Sequence, residues 1–311
     1  MRIAVFGAGG VGGYFGGRLA QAGEDVTFIA RGEHLKALQT TGLRVESIKG
    51  DFTISPAQAV SSPEAVGPVD IILLGVKAWQ VPDAAQAVRP MIGAETIVIP
   101  LQNGVEAVRQ VAEALGDQHA AGGLCRISSM IAAPGVIRHV GIEPSIAFNW
   151  PDGHADERLY KLRNAFQQAG VNAEVPADIQ VEIWRKFIFI ASVSGVGSVT
   201  VAPVGAFRSV PETREVLKMA IEEVTAVGKA LDVNLPAGIE ENILRFIDSL
   251  PAATTASMQR DIANGLPSEL DYQNGSVVRL GQECGVATPV NSFIYACLLP
   301  MEERARGKLE F

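Results

Sequence analysis

The first seventeen residues, MRIAVFGAGGVGGYFGG, constrain this chain more than any other stretch. Arg2 to Phe6 is a short apolar run with Ile3 and Val5, the composition of a buried strand. It stops at Gly7, and Gly7-Ala8-Gly9-Gly10-Val11-Gly12 reads G-x-G-x-x-G. Tyr14, Phe15, Leu19 and Ala20 then recur at helical spacing. Strand, glycine turn and helix, in that order, are the context in which this spacing holds a dinucleotide pyrophosphate. Gly7 allows the tight turn, Gly9 keeps side-chain atoms away from the phosphates, and Gly12 lets the helix pack closely on the strand. The first amides of that helix face the phosphates with the positive end of the dipole behind them. The competing reading is a glycine-rich turn of another α/β protein, in a chain with 32 glycines.

Gly23 closes the helix, and Asp25 to Ala30 reads as a second strand. At its end, where an NAD-binding domain usually places an acid for the ribose hydroxyls, stands Arg31. A guanidinium matches a 2′-phosphate that a carboxylate would repel, which points to NADP(H); the alternative is a surface arginine in a loop. Residues 41–55 alternate around Lys49-Gly50-Asp51 and predict an inserted β-hairpin. Val69 to Gly75 is apolar throughout, apart from Asp70, as a parallel strand covered on both faces should be. Lys77 then lies just past its carboxyl end, where open α/β sheets bind ligands; a solvated lysine at a helix start is the plainer reading. Thr96 to Pro100 is the next strand, and Leu101-Gln102-Asn103-Gly104-Val105 leaves it at the same edge. Asn103 could bond ribose, nicotinamide or substrate, although Asn-Gly is also simply a good turn. Strands at 119–132, 135–141 and 144–149 are expected to finish the sheet, with a helix over 156–169.

From about residue 178 the β/α alternation gives way to helical patterns at 178–197, 211–231, 236–249, 251–264, 268–285 and 289–305. The fold expected is therefore an α/β Rossmann-type domain over residues 1–174 followed by an all-helical domain over 175–311. The four histidines (34, 119, 139, 154) all lie in the first of these, so a proton donor in the second must be another residue. Lys186 is the candidate: its helix, from Ile179 to Ser192, is apolar on nearly every face near the lysine. Burying an ammonium is costly unless it finds a partner, so a cleft suits it, and desolvation there would ease release of its proton. A lysine snorkelling from the rim of a core helix fits the spacing as well. A second cluster is Ser257-Met258 followed by Glu269-Leu-Asp271-Tyr-Gln-Asn274-Gly275. Glu269 is placed in the first turn of a helix capped by Ser268, where acids also serve the dipole alone.

Composition excludes several functions. The net charge of −8 comes with no basic block, which speaks against nucleic acid or an anionic membrane as partner. The first apolar run is interrupted by the glycine turn and does not read as a signal peptide. No apolar stretch has bilayer length; even 187–207 is broken by serines, glycines and Pro203. Cys125, Cys284 and Cys297 are odd in number and far apart, which reads as reduced thiols of a cytoplasmic protein, with no metal site.

Taken together, these residues resemble the ketopantoate reductases (2-dehydropantoate 2-reductases) along nearly the whole chain. The agreement comprises Gly7/Gly9/Gly12, Arg31, Lys77-Ala-Trp-Gln, Asn103-Gly104, Glu182-Ile-Trp-Arg-Lys186, Ser257-Met258 with Asp261-Ile262, and Glu269-Leu-Asp271-Tyr272 with Asn274-Gly275. The resemblance implies NADPH, a cleft between a Rossmann domain and a helical one, a small 2-keto acid as substrate and a place in pantothenate biosynthesis. It makes Lys186 the catalytic acid, with Glu269 and Ser257 holding substrate, Glu269 also reaching toward the cofactor, and Lys77 and Asn103 at the cofactor and reaction centre. It is compatible with a homodimer. The chain departs from the family where asparagines usually follow the lysine by one and two helical turns: here those substrate-facing positions are Ile190 and Ser194. The expected activity is NADPH-dependent reduction of ketopantoate. The alternatives are a paralogue acting on another 2-oxo acid or carbonyl, and a regulator that binds NADPH without turnover.

Overall fold

The computed structural model describes residues 1–311 and divides into two compact units. The first holds residues 1–102 and 107–179, and the second holds 103–106 and 180–311.

In the first unit, β1 (Arg2–Phe6), β2 (Asp25–Ile29), β5 (Gln58–Val60), β6 (Ile71–Leu74) and β7 (Ile97–Pro100) form a parallel sheet in the order β5-β2-β1-β6-β7. Every residue of β6 and β7 is buried, which explains their unbroken apolar character. Helices α3 (Val81–Ala87) and α4 (Ala107–Leu115) cover one face, over Ile72, Leu74 and Val98. Of the strands expected to extend this sheet, only Ala120 pairs with it, by a single parallel bridge to Val98 of β7. Instead β8 (Gly122–Ala133) and β9 (Val136–Asn149) make a long hairpin that builds a second sheet. β9 carries β8 antiparallel along one edge. Its other edge takes β3 (Leu43–Ser47) and β10 (Asn172–Glu174), both parallel. The hairpin expected at 41–55 is β3 with β4 (Phe52–Ile54), and it belongs to this second sheet. Alternation marks a strand but does not say which strand it pairs with.

Helix α1 (Gly10–Gln21) lies between the two sheets, with Tyr14, Phe15 and Leu19 fully buried. A Cβ on Gly16 would come 2.6 Å from Val5 of the first sheet, and one on Gly13 would come 2.8 Å from Ile137 of the second. The glycines beyond the fingerprint therefore belong to packing, because both faces of α1 are pressed against strands. Helices α2 (Gly32–Thr40) and α5 (Glu157–Gln168) complete the unit.

The second unit is helical: α6 (Ile179–Thr200), α7 (Val204–Phe207), α8 (Pro211–Ala230), α9 (Ile239–Ser249), α10 (Ser257–Ala263), α11 (Asn274–Cys284) and α12 (Pro289–Ala305). α6 is apolar all round because it runs through the core, with Phe187, Ile188, Ala191 and Val196 buried. The other helices supply Leu217, Ile221, Val224, Ile243, Val277 and Leu298 against it. No helix of the chain is long and apolar enough to cross a membrane.

Two helical expectations are shortened. The helix read over 251–264 is only α10, since Ala256 is still extended. The helix read over 268–285 starts at Asn274, after a 3-10 turn at Leu270–Tyr272. Glu269 is therefore not in the first turn of α11. Its neighbour Ser268 gives both its backbone N–H and its hydroxyl to the buried Glu302 carboxylate of α12, and Gln273, at φ −111° and ψ −94°, is not helical. The division drawn at Glu174 falls at the end of β10, which is still paired with β9; the compact units part after Ile179.

Candidate active site

The first unit gathers its candidate residues at the carboxyl ends of the parallel strands. Gly7 follows β1 with φ +97°, and its N–H reaches Ile29 O at 3.2 Å. A Cβ on Gly12 would sit 2.1 Å from Gly7 O, so the helix-to-strand approach admits only hydrogen there. Gly9 is the opposite case: a Cβ would meet nothing within 4 Å. The space over Gly9, at the start of α1, is open to a pyrophosphate. The fingerprint residues Gly7, Ala8, Gly9, Gly10, Val11 and Gly12 thus fit a dinucleotide, with helical amides at the phosphate position. Arg31 follows β2 as the exposed residue before α2. Lys77 follows β6, also exposed, with Nζ 5.7 Å from the Trp79 ring centroid, within cation–π range. The turn carrying Lys77 is anchored by Gln102, whose Nε2 donates to Leu74 O and Val76 O, both at 2.9 Å.

His34 escaped the sequence reading. Its Nδ1 accepts from Gly135 N–H at 3.1 Å, so Nε2 carries the proton and donates to Ala8 O at 2.8 Å. The ring braces the fingerprint turn against the β8–β9 hairpin. Burial pushes its pKa below the ordinary histidine value, against the opposing effect of the Ala8 carbonyl. Only its position three residues past Arg31 hinted at this.

In the second unit the chain brings together Asn103 and Glu269, 166 residues apart: Asn103 Nδ2 donates to Glu269 Oε2 at 3.1 Å. Glu269 is 7% exposed, and Asn103 is half-buried. The backbone ahead of Glu269 is clamped from α12. Glu302 accepts the Ser268 N–H at 3.0 Å and its hydroxyl at 2.5 Å. Arg306 donates to Glu302 at 2.7 Å and to Ser268 O at 3.1 Å. Beyond Glu269, Asp271 accepts from Arg279 Nη1 at 2.9 Å and from Tyr295 OH at 3.0 Å. Burial, with the Asp271 charge beside it, pushes the Tyr295 phenol up to about 12.

Lys186 and Ile190 are half-buried on consecutive turns of α6. Ser194, one turn further, is fully buried, and its hydroxyl has no hydrogen-bond partner. Ser257 is the half-buried first residue of α10. Asn274 is structural. It donates to Asn291 Oδ1 at 2.9 Å and to Ala191 O of α6 at 3.3 Å. Asn291 in turn donates to Glu223 of α8 at 2.7 Å, so one buried polar chain joins four helices.

A family model described as ketopantoate reductase PanE/ApbA matches residues 3–150, and its C-terminal counterpart matches residues 178–302. An uncharacterized oxidoreductase of Bacillus subtilis, YkpB, is 33% identical over 96% of this chain and 98% of its own. A 2-dehydropantoate 2-reductase of Mesorhizobium japonicum is 31% identical over 95% of this chain and 96% of its own. Among solved structures, the PanE/ApbA family ketopantoate reductase of Ralstonia eutropha JMP134 superposes with a TM-score of 0.88 at 32% identity, covering 98% of this chain and 100% of that one. The chain belongs to the ketopantoate reductase family, and with that family it is an oxidoreductase of the CH–OH type that works with a nicotinamide dinucleotide.

Proposed function

We propose that the chain reduces a small 2-keto acid, ketopantoate first among them, and takes NADPH in preference to NADH. The observation that carries the reading is the Asn103–Glu269 hydrogen bond of 3.1 Å. It sets an amide and a nine-tenths-buried carboxylate side by side in the helical unit, two groups that together can orient a polar carbonyl substrate. The residues Gly7 to Gly12 would hold the pyrophosphate, with Lys77 at the same sheet edge, and Arg31 would take the 2′-phosphate by a charge-assisted contact. When bound, the cofactor supplies the hydride. Lys186 stabilises the oxyanion that develops on the substrate and delivers its proton, while Glu269, Ser257 and Asn103 hold the substrate in place. The cysteine usage supports the cytoplasm as the compartment, and a homodimer is carried from the family resemblance.

Ile190 favours a second reading, a paralogue acting on another 2-oxo acid. An apolar wall where the family has an amide leaves a substrate hydroxyl at that position unpaired. The test is NADPH and NADH oxidation across a panel of 2-keto acids. Turnover of ketopantoate, faster with NADPH, is the expected result. Turnover of none would leave only a dinucleotide-binding regulator. With Ile190→Asn, kcat/KM for ketopantoate should rise about ten-fold relative to an analogue lacking the hydroxyl, if one hydrogen bond of ~1.4 kcal/mol is restored. An unmoved ratio would mean that other residues read the hydroxyl.

A further inference from the structure

Two segments meet at the Asn103–Glu269 bond, and the structure shows what keeps them in register. Residues 103–106 belong to the helical unit although their neighbours in the chain on both sides belong to the other. Gly104, at φ +110°, lies so close to the second segment that a Cβ would come 2.9 Å from Tyr272 O. Glu106, three residues past Asn103, is 9% exposed and takes hydrogen bonds from Ser276 Oγ and, at 3.0 Å, from Arg279 Nη2. The same guanidinium donates through Nη1 to Asp271 Oδ1 and through Nη2 to Asp271 O, both at 2.9 Å. Asp271 is two residues past Glu269. One cation on α11 therefore bonds both segments, each a few residues from the group that matters.

We propose that Arg279 is a positioning residue, which holds the 103–106 segment and the 269–272 segment in the register that lets Asn103 bond Glu269. The planar fork of the guanidinium is what the task requires, since three acceptors in two segments must be met at fixed angles. A lysine ammonium on its flexible stem reaches one of them at a time. Without the guanidinium, the bonds that tie Glu106 in one segment and Asp271 in the other to a single side chain are lost, and the register between the segments loosens. The Arg279 and Asp271 side chains are 39% and 45% exposed, so their ion pair adds little to global stability, whereas the pair with the buried Glu106 contributes to it. The effect of Arg279 on turnover falls on the geometry of Asn103 and Glu269. The inference rests on the proposed roles of those two residues.

The test is a set of single and paired variants of the full chain, Arg279→Gln, Arg279→Lys, Asn103→Ala and Glu269→Gln. Each is measured for kcat, KM for the best 2-keto acid, NADPH Kd and Tm. Arg279→Gln should lower kcat/KM on the order of 10²-fold, as a displacement of about 1 Å in positioning groups does. Its NADPH Kd should stay near wild type while Tm falls with the loss of the cation beside the buried Glu106, and Arg279→Lys should recover the Tm but only part of the loss in kcat/KM. In the Asn103→Ala background, Arg279→Gln should cost almost nothing further. Independently of turnover, the Asn103 side-chain amide resonance should shift in Arg279→Gln toward its position in Glu269→Gln. If Arg279→Gln does not fold, Glu106→Gln removes the same ion pair and replaces it in every arm. Wild-type kcat/KM in Arg279→Gln, or losses that multiply with Asn103→Ala, would overturn the inference. Wild-type turnover in Asn103→Ala and Glu269→Gln would instead overturn the site reading beneath it.

Discussion

At the scale of single residues, Arg31 is exposed after β2 and Lys186 is half-buried on α6, whereas the His34 ring is held between the Ala8 carbonyl and the Gly135 N–H. Arg31 stands where a carboxylate is usual, and Lys186 stands in a helix apolar on nearly every face, which is why the sequence singles both out for the roles proposed above. His34 was not singled out, because its partners are backbone groups of Ala8 and Gly135, which leave no signature in sequence. Its neutral tautomer has a consequence for pH. Burial lowers its pKa in the folded chain, so the unfolded chain takes up the proton first as pH falls. The stability His34 contributes is therefore complete above about pH 6.5, its unfolded value, and is lost as pH drops through it. Protonation would also turn Nδ1 from acceptor to donor against the Gly135 N–H. The Tm difference between the wild type and His34→Gln should accordingly be largest near pH 7.5 and shrink toward pH 5.5. A difference that stays constant over that interval would show that the ring is not held neutral.

At the scale of elements, strands and long helices were readable from period, and their partners were not. β8 and β9 were expected to finish the parallel sheet, yet they build a second sheet with β3, β4 and β10. The helix expected from residue 268 is interrupted at Gln273, whose φ of −111° and ψ of −94° are not helical. α1 shows both sides of this. The fingerprint glycines at its start were read with separate tasks, Gly9 for the phosphates and Gly12 for packing on the strand, and the structure separates these two by the space each has. An added methyl at Gly12 meets Gly7 O at 2.1 Å, whereas one at Gly9 meets nothing within 4 Å. Gly12→Ala should therefore destabilise the chain by at least the ~1–3 kcal/mol of an overpacked core site. Gly9→Ala should unfold at close to the wild-type temperature and lose NADPH affinity, because the methyl occupies the pyrophosphate position. Urea titration and NADPH titration of both variants separate the two effects; equal NADPH affinity in Gly9→Ala and the wild type would contradict the assignment of that space.

At the scale of the whole molecule, the change from alternating strands and helices to helices alone showed the two-part organisation, an α/β unit followed by a helical one. What the pattern could not show is that residues 103–106 belong to the second unit. Four residues carry no period, and their placement depends on Glu106 meeting Ser276 and Arg279 about 170 residues later. The same contact separation hid the Asn103–Glu269 bond, although both residues had been singled out. The central claim is that this molecule is a reductase whose helical unit supplies the proton. The most direct measurement is steady-state kcat of Lys186→Ala on the best 2-keto acid, taken together with its NADPH Kd. The account predicts a fall in kcat of at least the ~10²-fold typical of a lost general acid, with NADPH Kd essentially unchanged. Turnover near the wild-type rate would contradict it and leave Lys186 a lysine on the rim of a core helix.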